Sequence, residues 1–438
     1  MKRSPKLLFF AYAFPPSRAI GAVRCWNIAK HLSRRGWDVE VVTINPALLT
    51  EPQPGMDVIA DCVRENIRLR PTGFDWPILT GGGIKLAPWQ PNILARIARR
   101  VVNWIKLDPD RGWITAAVRA CASLGPGDMD AVLVSAPPHI AFEAGANVAR
   151  RLAVPLFLDY RDLWSLNPHS KRNATRKVWD LEARLLGFAQ AVTVVSPSMS
   201  ALLKSEFQFN KPIEVITNGF DNEEFDGIRP EGFDDFAVVY AGRFYPPSST
   251  AKPLLEAIAL VNRDKAQEQP VRLHYFGSDQ KHVKTAAVEA GASSWLINHG
   301  NVSRKIVLAA LKGASAAAVV TTVEETATQA EMGILTGKLF DALGAQVPVL
   351  LISPKESDAS TLVRENNFGG AFTGCESVAM GKWLSKLRED AKKYSGSSEN
   401  FSWLQISAQL DVFLRDLLPK KQVAAEKNQV GLYKPGLK

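Results

Sequence analysis

From Leu7 to Ile352, short runs of β-branched and aliphatic residues alternate with longer segments whose apolar residues recur at helical spacing. Strands that are apolar on both faces and separated by helices build parallel sheets covered on both sides, so this alternation selects the α/β class. In the first half the candidate strands are 7–11, 39–43, 131–135, 156–159 and 191–195; in the second half they are 237–240, 272–276, 296–299, 316–320 and 347–352. Between the first two, residues 20–35 set Ile20, Val23, Trp26, Ile28, Ala29 and Leu32 largely on one stripe and close with Arg34, Arg35 and Gly36, a cationic, glycine-capped helix end. At 438 residues the alternation is long enough for two domains. The run Val215 to Asp221 ends in an Asn-Gly turn, followed by an acidic stretch to Asp235, and the hinge is expected there.

With 46% hydrophobic and 22% charged residues, the chain can build full cores and is not of the disordered class. Cys25, Cys62, Cys121 and Cys375 show no C-x-x-C spacing, which argues against a zinc site or a disulfide framework and fits a reducing cytosol. The apolar stretch after Met1-Lys2-Arg3 reads as a first buried strand rather than a signal peptide, and no uncharged apolar run reaches the length of a membrane span, so a soluble or peripheral protein is expected. Residues 1–216 carry 28 basic and 18 acidic side chains, against 25 and 26 in the remainder, so the basic half should meet something anionic. Residues 91–107 place Ile93, Ile97, Val101, Trp104 and Ile105 near one face, with Arg96, Arg99, Arg100 and Lys106 largely off it. That pattern suits docking on an anionic membrane, or equally a surface helix turned toward the core. Nucleic acid is not expected, because no nucleic-acid module signature is present.

Six local sequences narrow the function. They are residues 10–24 (FAYAFPPSRAIGAVR), 135–139 (SAPPH), 159–164 (DYRDLW), 216–221 (ITNGFD), 240–245 (YAGRFY) and 336–343 (TGKLFDAL). In this order, and over a span from residue 6 to about 415, they resemble the GT-B-fold retaining glycosyltransferases of family four. The resemblance implies two Rossmann-like domains facing across a cleft: an acceptor-binding domain over 1–216, and a nucleotide-sugar-binding domain over 217–399. A helix near 400–418 is expected to pack back on the first domain, and 419–438 to form a disordered tail. The implied activity is transfer of a sugar from a nucleotide-diphosphate donor to a glycan or lipid-linked acceptor in polysaccharide or cell-envelope glycan biosynthesis, at the inner face of the cytoplasmic membrane. Two rivals are a nucleotide-sugar epimerase of the same fold and a catalytically silent subunit that binds nucleotide sugar or lipid.

Each candidate site residue carries a chemical reading and a structural one. Gly21 lets backbone N–H groups at a helix start approach the donor diphosphate, with Arg18 and Arg24 nearby, or it forms a plain tight turn. Thr336, Gly337 and Lys338 open a helix that offers a cation and an N-terminus to phosphate; alternatively, Thr336 is a simple cap. The resemblance gives Asp341 the ribose hydroxyls, with Asp in place of the usual Glu, and puts Gly333 where the family often has an acid, with Glu331 nearby. It also matches Arg243, and less closely Lys252, to cations that neutralise the leaving diphosphate. Arg161 and Asp162 would orient the acceptor hydroxyl or brace the loop around Trp164, and His139 would contact ligand or start a helix. The D-x-D strings Asp108 to Asp110 and Asp128 to Asp130 lie in Gly- and Pro-rich loops and are set aside, so neither a metal nor another cofactor is expected.

Overall fold

The computed structural model describes residues 3–17, 19–50, 57–75, 97, 100–101, 108–168, 170, 175–263, 269–389 and 396–419. Two wholly parallel sheets organise it. The first holds β1 (Lys6–Ala11), β2 (Asp38–Ile44), β3 (Ile67–Thr72), β4 (Ala131–Ala136), β5 (Leu156–Tyr160), β6 (Ala191–Val194) and β7 (Ile213–Val215), in the order β3-β2-β1-β4-β5-β6-β7. The second holds β8 (Phe236–Ala241), β9 (Val271–Phe276), β10 (Leu296–Gly300), β11 (Ala316–Val320), β12 (Val349–Ile352) and β13 (Gly369–Phe372), in the order β10-β9-β8-β11-β12-β13. These are the two Rossmann-like domains the alternation called for.

Each sheet is buried on both faces, which is why its strands read as continuous apolar runs. One face of the first sheet packs Phe10, Trp113, Phe142 and Tyr160; the other packs Phe9, Trp37 and Ile28 together with Trp403, Ile406, Leu410 and Leu414. Those last four residues belong to the helix Trp403–Asp416, so the end of the described chain lies in the core of the first domain. The chain crosses back beside the hinge, where Phe220 N–H donates to the Phe401 carbonyl at 3.1 Å and Trp403 N–H to the Phe220 carbonyl at 2.8 Å.

Three strands lay outside the expected set. In β3, Arg68 and Arg70 alternate with Ile67 and Leu69 and Pro71 interrupts the pattern, which an edge strand tolerates. β7 has only three residues, and β13 opens with two glycines.

Candidate active site

In an open parallel sheet, ligands bind outside the carboxyl ends of the strands, where the strand order reverses. Here the reversals fall between β1 and β4 in the first sheet and between β8 and β11 in the second. The segments leaving those four strands contain Gly21, His139, Arg243 and the stretch that runs to Thr336, Gly337 and Lys338; Arg161 and Asp162 follow β5, next in the sheet. The two carboxyl ends face each other. After β6, Ser198 donates from its backbone N–H and its hydroxyl to the Asp358 carboxylate that follows β12, at 2.9 and 3.0 Å, and Asn218 at the hinge donates to the Leu335 carbonyl at 3.2 Å.

In the second domain, chain-distant groups converge on the turn Gly242-Arg243. Gly242 has φ +127°, a conformation that favours glycine, and the Lys338 side chain fills the space a Cβ there would need. The Arg243 carbonyl accepts from Tyr240 Oη at 2.9 Å and from Lys338 Nζ at 3.1 Å. Tyr275 Oη donates to the Gly242 carbonyl at 3.1 Å, and Asp279 accepts the Phe244 N–H at 2.8 Å while one of its oxygens lies 3.8 Å from Arg243 Nε. The backbone of Arg243 is therefore fixed while its guanidinium stays 66% exposed. Burial pushes the Lys338 ammonium down to about 8, with Asp279 and Asp341 opposing the shift. Thr336 caps the helix Gly337–Ala345, its hydroxyl accepting the Lys338 N–H at 3.2 Å, and the space beside Gly337 is open.

Asp341, one turn along that helix, is held by a residue sequence reasoning missed. Arg304 donates to both its oxygens, at 2.9 and 3.3 Å, and to Glu224, at 2.6 and 3.0 Å. The one sequence cue was a basic residue opening a helix, where the dipole disfavours it. Glu331 is not turned to a ligand: it closes a capping box with Thr328. A Cβ on Gly333 would lie 2.9 Å from Ser196 Oγ, so this position packs against the first domain. Lys252 does not join the cluster through any bond to Arg243 or Lys338; its ammonium lies 3.7 Å from Glu289.

In the first domain several candidates prove to be framework. Arg24 is buried and bidentate to Asp159, at 3.0 and 2.6 Å, and also donates to the Thr217 and Ile216 carbonyls at 2.8 and 2.9 Å, tying its helix to the hinge rather than facing a ligand. Burial pushes the Asp159 carboxyl up, but Arg24 and the hydroxyls of Ser135 and Thr193 outweigh it and hold the group below its ordinary range. Arg161 donates to the Ala136 carbonyl at 3.1 Å and to the Pro137 carbonyl, and its guanidinium lies against Gly21, so that any Cβ there would overlap it. The need for glycine at 21 is thus a need to admit Arg161. His139, given a catalytic part from its sequence position, is 5% exposed, stacked on Trp164 at 5.6 Å and bonded through Nε2 to the Asp162 carbonyl at 2.7 Å. Burial lowers it to about 4, so it is a neutral strut beneath the exposed Asp162.

Arg18 and most of 91–107 lie outside the described residues; of that segment Ile97, Arg100 and Val101 are described, and all three are helical. Among the described residues no helix is long and apolar enough to cross a membrane, and no group of three or more His, Cys, Asp or Glu is placed to hold a metal ion. The D-x-D carboxylates serve local structure: Asp108 accepts the Asp110 N–H, Asp110 the Tyr12 hydroxyl, Asp128 the Gly125 N–H and Asp130 the Lys6 N–H.

Two facing Rossmann-like domains with their sites at opposed switch points define the GT-B architecture of glycosyltransferases. Residues 21–224, which make up most of the first domain and run into the hinge, match the model of Glycosyltransferase Family 4. Among solved structures, the chain is similar to sucrose-phosphate synthase from Thermosynechococcus elongatus, with TM-score 0.64, 14% identity, and coverage of 94% of this chain and 99% of that one. It is similar to Anabaena HepE, solved in complex with UDP-glucose, with TM-score 0.61, 16% identity, and coverage of 94% and 99%. A third is the lipopolysaccharide outer core galactosyltransferase WaaB, with TM-score 0.52, 13% identity, and coverage of 94% and 99%. No curated protein matches the sequence.

Proposed function

We propose that the protein is a retaining glycosyltransferase that moves a sugar from a nucleotide-diphosphate donor, held by the second domain, to a hydroxyl of a glycan or lipid-linked acceptor held by the first, in polysaccharide or cell-envelope glycan synthesis on the cytoplasmic side of a membrane. The observation that carries this reading is the Arg243–Lys338 cluster, two cations from distant parts of the chain drawn to one turn at the switch point of the second sheet. Negative charge builds on the diphosphate as its bond to the sugar breaks, and cations already placed beside it stabilise that charge. The acceptor oxygen bonds to the anomeric carbon on the face the diphosphate leaves, and the acceptor proton passes to a phosphate oxygen. These side chains supply the neutralisation themselves, so the reaction is proposed to run without a metal. Arg161 and Asp162 border the acceptor side, on the loop His139 supports. UDP-glucose, the ligand named for HepE, is the first donor to try.

The test is a thermal-shift screen against uridine, guanosine, adenosine and thymidine diphosphates and their sugar conjugates, run without metal, then product analysis with the donor that binds. A shift with one nucleotide family, followed by glycosylated acceptor with unchanged anomeric configuration, supports the reading. Release of free nucleotide and sugar with no acceptor marks an epimerase, and no shift with any nucleotide abandons the donor site.

A further inference from the structure

Arg304 opens the helix Arg304–Gly313 directly after the loop from β10, where the helix dipole makes a cation unfavourable. Two carboxylates compensate it. Nε and Nη2 donate to Glu224 at 3.0 and 2.6 Å, while Nη2 and Nη1 donate to the two oxygens of Asp341 at 2.9 and 3.3 Å. The fork geometry of a guanidinium fixes the plane of a carboxylate in a way a lysine ammonium cannot. The triad is not sealed in the core: the side chains of Glu224, Arg304 and Asp341 are 31%, 27% and 22% exposed.

One cation against two carboxylates leaves the triad net negative, which suits a ligand that donates hydrogen bonds and disfavours phosphate. Phosphate chemistry lies one turn earlier on the same helix, at Lys338 and the capped N-terminus. A carboxylate offers about four lone-pair directions. With two taken by Arg304, Asp341 keeps about two, the number that a pair of vicinal hydroxyls fills.

We propose that Arg304 is a positioning residue for ribose recognition, holding the Asp341 carboxylate in the orientation that accepts both hydroxyls of a ribonucleotide donor; this rests on the donor-site reading above. Glu224 anchors the guanidinium from behind. Its neighbour Glu223 points the other way, to Lys30 Nζ at 2.8 Å and to Arg34 in the first domain, so the helix Asn222–Phe225 is pinned on both sides and gives the clamp a fixed base.

The experiment is isothermal titration of the full chain with uridine, guanosine and adenosine diphosphates and with their 2′-deoxy counterparts, on the wild type and on Arg304→Lys, Arg304→Gln and Asp341→Asn. The wild type is expected to prefer the ribonucleotide about tenfold or more, the scale of hydrogen bonds to a charged group. Arg304→Lys, which keeps the charge but not the fork, and Arg304→Gln are both expected to bring that preference to within about twofold, as is Asp341→Asn. Circular dichroism checks folding, and if the Gln variant fails to fold the Lys variant carries the test. A merely structural Arg304 would weaken both nucleotides alike; an unchanged ratio in Arg304→Lys, with the ratio lost in Asp341→Asn, overturns the proposal and leaves the donor site standing. A wild type with no ribose preference, or an Asp341→Asn that keeps it, overturns the ribose reading of Asp341 as well.

Discussion

Lys338 Nζ lies 3.1 Å from the carbonyl oxygen of Arg243, so the ammonium that would meet a phosphate also sets the turn from which the Arg243 guanidinium projects. The two cations therefore have separable effects. Lys338→Met removes a charge-assisted contact worth about 1.5–3 kcal/mol and loosens the turn, so nucleoside diphosphate affinity should fall roughly 10- to 100-fold. Arg243→Ala leaves the turn intact and should act mainly on kcat, by about 100- to 1,000-fold, because the charge it faces grows in the transition state. Titration and steady-state kinetics on the two variants check this; equal losses in KM alone for both would place neither cation at the leaving group.

The lowered Lys338 ammonium predicts a pH dependence of known sign. Burial favours its neutral form and brings it to about 8, and a bound diphosphate favours the charged form and raises it again. Nucleotide affinity should then fall as pH rises above about 8, and binding near pH 8.5 should take up a proton, since the terminal phosphate, with its own ionisation near 6, is already fully charged. Calorimetry in buffers of different ionisation enthalpy measures that uptake. It should vanish in Lys338→Met, and uptake that persists in the variant assigns the proton elsewhere.

Most of the fold was legible because burial on both faces writes a parallel strand as an apolar run, as in Leu7 to Ala11 or Ala316 to Val320. Where another demand overrides burial the signal fades: β3 carries Arg68 and Arg70 at a sheet edge, and Gly369 in β13 is small because the Val349 backbone lies where its Cβ would be. Arg243 stood out in the sequence as a cation after a strand and Lys338 as a cation at a helix start, and the fold brings the two to one turn. Arg304 did not stand out, because its partners Glu224 and Asp341 lie 80 and 37 residues away and only the fold unites them. For the same reason Arg24 and Gly21 looked like ligand groups: Asp159 and Arg161, which explain them, are far along the chain.

The Arg24–Asp159 pair predicts a stability effect with no catalytic counterpart. Both side chains are 2% exposed, and Arg24 links the first helix to the hinge carbonyls of Ile216 and Thr217. Arg24→Met leaves a buried carboxylate without its cation and should cost about 3–5 kcal/mol, read from urea unfolding. A loss below about 1 kcal/mol would mean that the hydroxyls of Ser135 and Thr193 satisfy Asp159 alone.

Ile97 and Val101, one helical turn apart, are 53% and 48% exposed. Paired apolar residues facing solvent in the basic half of the chain are what a helix lying in a membrane interface presents. The double variant Ile97→Glu, Val101→Glu should lose co-sedimentation with vesicles containing anionic lipid and keep its nucleotide affinity. If the wild type does not sediment with those vesicles, the helix has no membrane role.

The contact between the two carboxyl ends predicts how the cleft opens. Ser198 gives both its N–H and its hydroxyl to Asp358, so a carboxylate from the second domain caps a first-domain helix, and Gly333 closes the same contact with no room for a side chain beside Ser196 and Met199. Removing a cap of this kind costs about 0.5–2 kcal/mol, enough to shift a balance between open and closed domains. Asp358→Ala should enlarge the radius of gyration in small-angle scattering without lowering the unfolding midpoint of either domain by more than a few degrees. Gly333→Glu should do the same by overlap, and adding the nucleotide should reverse the expansion in Asp358→Ala but not in Gly333→Glu, because only the former can close again. Scattering curves identical to the wild type for both variants would show that this contact does not set the domain angle.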